Sequence, residues 1–62
     1  MGKGLAPHRI VTRDADNRIV GDEHFANFAE AEPIWPVRCR ELSDGLTLTL
    51  QHGSREIKRW PR

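Results

Sequence analysis

The 62-residue chain predicts a single α+β domain: an N-terminal β-hairpin, one short α-helix and a C-terminal three-stranded antiparallel meander. Three observations carry this prediction. The β-branched pairs Ile10-Val11 and Ile19-Val20 flank Asp14-Ala15-Asp16-Asn17, a cluster of turn formers. Phe25, Phe28 and Ala29 fall at helical spacing between Asp22 and Pro33. From Val37 to Arg62, apolar and polar residues alternate around Gly45 and Gly53. If the first hairpin joins the meander, five strands make a small, partly open β-barrel.

Residues 1–7 hold two glycines and Pro7 and read as a flexible N-terminus, which leaves 8–62 as one small domain. In the hairpin that follows, a four-residue loop sets Thr12 against Ile19 and Val11 against Val20, a cross-strand valine pair. Asp22 is placed to cap a helix from about Glu23 to Ala31, since its carboxylate can accept from the free amides of a first turn. Pro33 closes that helix. Ile34-Trp35-Pro36 then leads as an extended segment into the meander, because proline belongs at a strand start or edge.

Register divides the meander into two faces. A two-residue turn at Asp44-Gly45 sets Cys39 against Leu50 and Glu41 against Leu48. The second turn uses His52-Gly53 or Gly53-Ser54, and either leaves Ile57 on the leucine side. The expected core is therefore Phe25, Phe28, Val37, Leu46, Leu48, Leu50 and Ile57. The opposite, exposed face presents Arg38, Arg40, Thr49, Lys58 and Trp60 among others.

Composition bounds the function. A domain of this size buries only about 60% of the surface its unfolded chain exposes, which favours a binding protein over an independent enzyme. Leu, Ile, Val and Phe make up 14 of 62 residues, enough for a folded domain. Cys39 is the only cysteine, so an intramolecular disulfide is excluded and a reducing compartment fits. With no apolar run of signal-peptide or membrane-span length, a soluble, cytoplasmic protein is expected. Net charge is +1, but the charges are segregated. Asp14, Asp16, Asp22, Glu23, Glu30 and Glu32 crowd the middle, whereas basic residues gather at either end.

No chemical motif survives inspection. Asp14-Ala15-Asp16 begins like a calcium loop, but Ile19 stands where the loop needs glycine and Phe25 where it needs glutamate. His8, His24, His52 and Cys39 lack the close spacing of a zinc site, so neither metal nor cofactor is expected. Cys39 reads as a small core residue, and Glu41 as a rim carboxylate paired with Arg55 or Arg59. The remaining constellation is Arg38, Arg40, Thr49, Lys58 and Trp60.

Arginine and tryptophan are enriched at protein-binding hot spots. The leading expectation is a non-catalytic binding module, a regulator or inhibitor that occludes an acidic surface on a larger protein. The alternative is a single-stranded nucleic-acid binder using cations for phosphates and Trp60 for base stacking. No membrane partner is expected. The edge at the Trp60 strand leaves room for a homodimer.

Overall fold

Ile10 and Val11 are adjacent and both buried, a pattern that an extended chain achieves only when both of its faces are covered. They lie in β1 (His8–Arg13), an inner strand of the sheet. The computed structural model describes residues 8–61, so the expected flexible terminus at 1–7 lies outside the described residues. The remaining elements are β2 (Ile19–Phe25), α1 (Phe28–Ala31), α2 (Ile34–Glu41), β3 (Thr47–His52) and β4 (Arg55–Trp60). Together they form a four-stranded antiparallel sheet of order β2-β1-β3-β4 with two short helices; the sheet is open and not closed into a barrel.

The first hairpin forms where the sequence places it. Asp14 organises its loop by accepting at Oδ1 from the amides of Asp16 and Arg18, each at 2.9 Å, and Asn17 takes up a φ of +65°. The pairing differs from expectation. Arg13 faces Ile19, but an irregularity then sets Thr12 against Gly21 and Val11 against Asp22. The valine pair does not form, and Ile19 and Val20 stay exposed.

The expected helix from Glu23 to Ala31 is also corrected. β2 continues through Phe25 because Asp22 finds Arg9 at 3.6 Å and Glu23 finds Arg38 at 2.9 Å, so neither carboxylate serves as a cap. Asn27 caps the helix instead, accepting at Oδ1 from the Glu30 amide at 2.9 Å, while Glu30 reaches back to the Ala26 amide at 3.4 Å. That reciprocal pattern is close to a capping box.

The third correction is the largest. Val37 to Glu41 is helical rather than the first strand of a meander. Pro36 falls in the first turn, where its missing N–H leaves no helical bond unmade. Trp35, Cys39 and Leu42 recur at i, i+4 and i+7 and turn onto the core. Arg38 and Arg40 sit in the last turn, where positive charge suits the helix dipole. Asp44-Gly45 therefore joins a helix to a strand: the Leu46 amide donates to Ser43 O at 3.3 Å, with Gly45 at a φ of +87°.

The place beside β3 that the meander assigned to residues 37–43 is taken by β1, which pairs Ile10 with Leu50 and Thr12 with Leu48. Ile10, Ala31, Trp35, Leu48 and Leu50 form the buried cluster, with Phe25, Phe28, Ile34, Cys39 and Leu42 half-buried against it. Val37 and Leu46 are half-buried outside that cluster. Each full burial of such a side chain contributes about 1.5–3 kcal/mol.

The last hairpin turns at Gly53-Ser54, with Gly53 at a φ of +63° and His52 paired to Arg55. Past the turn a bulge intervenes. Gln51 faces Glu56 but Leu50 faces Lys58, so Ile57 has no partner of its own and is 40% exposed. A bulge reverses the alternation beyond it, and this brings Lys58 and Trp60 to the leucine face that Ile57 was expected to occupy.

Candidate functional site

The reversed alternation creates the site. Trp60 pairs with Leu48 on the outermost strand and stands 43% exposed, facing α2 across a gap. Between them lies a groove of about 650 Å³ lined by Trp35, Pro36, Cys39, Arg40, Lys58, Arg59 and Trp60. Both tryptophans of the chain contribute to it. Trp35 is buried and provides the apolar floor, while Trp60 offers part of its ring to solvent.

The rim is basic. Among the described residues, Arg40 and Lys58 have no ion-pair partner, unlike Arg9, Arg18, Arg38 and Arg59. Cys39 lies in the wall, and burial raises its thiol pKa against an opposing pull from Lys58. Its thiol is thus held further toward the protonated form, which suits packing better than nucleophilic attack. Among the described residues, no histidine lines the groove.

Of the five residues singled out by sequence, the structure brings together Arg40, Lys58 and Trp60. Arg38 is on α2 but turns to β2, donating from Nε and Nη2 to the two carboxylate oxygens of Glu23 at 2.9 and 3.0 Å. That bidentate contact holds the Glu23 carboxyl below its ordinary pKa and raises that of Arg38. Glu41 joins Arg38 at 3.2 Å and not Arg55 or Arg59, because it lies on the same helix.

Thr49 lies on the other side of the sheet and is buried, so it takes no part in the groove. There Arg13 Nη1 donates to Thr49 Oγ1 and Gln51 Oε1, both at 3.3 Å, and the Thr49 hydroxyl donates to Gln51 Oε1 at 2.9 Å. A polar cleft of about 310 Å³ adjoins this network, lined in part by Asn17, Ser54, Glu56 and Arg59. Arg59 donates to Glu56 at 2.7 Å and, with Arg13, holds the Glu56 carboxyl below its ordinary pKa. Among the described residues, no aromatic side chain lines this cleft.

No protein-family profile, characterised protein or solved structure matches the chain. Among the described residues, no cluster of three or more His, Cys, Asp or Glu side chains could hold a metal ion, and no helix is long and apolar enough to cross a membrane.

Sequence reasoning missed Trp35 and Pro36 as groove residues because it made them an extended lead-in to a strand. The usable signal was the spacing of Trp35, Cys39 and Leu42, which is that of a helix face.

Proposed function

We propose that this chain is a small, non-catalytic binding module that regulates or inhibits a larger protein by docking on its acidic surface through the groove between α2 and β4. One observation carries the reading: a groove lined by the buried Trp35 and the part-exposed Trp60 is rimmed by Arg40 and Lys58, neither of which has a carboxylate partner among the described residues. Apolar anchors surrounded by unneutralised cations suit a partner that brings its own apolar group and its own carboxylates. The alternative, single-stranded nucleic acid, draws on the same cations and on the exposed part of Trp60. It has less support, because base-stacking platforms present several aromatic faces, and of the tryptophans and phenylalanines among the described residues only Trp60 is well exposed.

The test is affinity capture from cells with the tagged chain, followed by mass spectrometry. Capture of one acidic protein, lost in Arg40→Glu and in Trp60→Ala while both variants stay folded, supports the proposal. A partner retained by both variants means that the groove is not the docking site. Binding of mixed oligonucleotides that falls steeply with salt, without a protein partner, establishes the alternative.

A further inference from the structure

From the placement of this groove we infer the conformation of what occupies it: an extended acidic segment of the partner that adds as a fifth strand to the outer edge of β4. The inference rests on the proposed docking site and deepens it. β4 is the last strand in the order β2-β1-β3-β4, so its outer backbone groups have no sheet neighbour among the described residues. The groove takes one wall from this same strand, at Lys58, Arg59 and Trp60. A helical or globular ligand would fill the groove but leave those backbone groups to water, whereas an added strand engages both.

The bulge at Ile57 sets the length of the contact. On the groove side of the bulge, Lys58, Arg59 and Trp60 pair with Leu50, Thr49 and Leu48 in one register, so the uninterrupted edge beside the groove is these three residues, with Arg55 and Glu56 cut off from it by the bulge. The same stretch argues against a second copy as occupant. Antiparallel self-pairing centred on it sets Arg59 against its own counterpart and Lys58 against Trp60, which places no carboxylate opposite the unpaired Lys58. A partner strand of opposite charge supplies one. Strand alternation then sends one large apolar side chain between Trp35 and Trp60, and carboxylates two residues before and after it share its face and meet Lys58 and Arg40.

The probe is a synthetic, end-capped peptide of sequence Thr-Glu-Thr-Leu-Thr-Glu-Thr, whose glutamates share a strand face with its leucine, compared with a backbone N-methylated analogue and with an analogue having lysine for every glutamate. Expected on titration to about 1 mM are amide shifts confined to Lys58–Trp60 and the facing turn of α2, slower hydrogen exchange of β4 amides, and protection of Cys39 from alkylation. The N-methylated and lysine peptides should bind at least about tenfold more weakly. If the N-methylated peptide binds as well as its parent, strand addition is refuted while groove docking stands. If no peptide perturbs β4 yet the captured partner still depends on Arg40 and Trp60, the extended conformation is wrong and the partner docks by a preformed surface. If the captured partner is indifferent to Arg40 and Trp60 as well, the docking site itself is wrong.

Discussion

Leu50→Ala and Ile57→Ala together test the register on which the groove depends. Sequence alternation puts both residues on one buried face, so truncating either should cost a similar amount. In the structure Leu50 is fully buried, whereas Ile57 sits on the bulge and is 40% exposed. Leu50→Ala should therefore remove about 2–5 kcal/mol, the sum of lost transfer energy and an unfilled cavity. Ile57→Ala should remove about 1 kcal/mol or less, because little apolar area returns to water. A chain of this length is stable by only about 3–9 kcal/mol, so the Leu50 variant will be close to unfolding. Leu50→Val, which loses one methylene worth about 0.8 kcal/mol, keeps the comparison within measurable range. Urea titration followed by tryptophan emission gives the midpoints, with an unchanged slope as the check that only stability has moved. Equal losses for Ile57→Ala and Leu50→Ala would mean that Ile57 is in the core and the bulge is absent. Lys58 and Trp60 would then return to the opposite face, and the groove with them would disappear.

Two further predictions concern the polar contacts. Glu23 has its pKa lowered chiefly by the hydrogen bonds from Arg38, so its contribution to stability is present above the unfolded-state value and is lost as pH falls through the lower folded one. Glu23→Gln should thus reduce the difference in urea midpoint between neutral pH and about pH 3; an unchanged difference would show that the pair is not formed in solution. Both side chains are partly exposed, so solvent keeps the effect small. Thr49→Val keeps the shape but removes the hydroxyl that links Arg13 to Gln51, and should cost about 1 kcal/mol. A stability equal to the parent, measured by the same titration, would show that this buried network contributes nothing net.

Local chemistry was readable wherever a short segment contained its own instructions. The Asp14–Asn17 loop is written in side chains that bond to nearby amides, and Gly53-Ser54 turns the last hairpin because glycine accepts a positive φ. Asn27 and Glu30 were equally local as capping residues, but Asp22, a good cap by type, stood earlier in the chain and was preferred. The segment from Val37 to Glu41 was ambiguous in a deeper way. Val-Arg-Cys-Arg alternates like a strand, yet with Trp35 and Leu42 it also makes a helical face.

The sequence by itself therefore determined a small mixed domain, a hairpin at each end, the leucines of the core and a basic C-terminal third that carries a tryptophan. Tertiary structure decided which segment lies beside β3. Because β1 brings Ile10 against Leu50 and buries Val11 on the other face, residues 34–41 are released from the sheet and cross it as a helix. It also decided which way Lys58 and Trp60 point, through a single bulged residue whose effect on alternation no periodicity can foresee. The candidate site exists only because these two long-range outcomes coincide: a helix placed over the sheet, and an edge strand turned to face it.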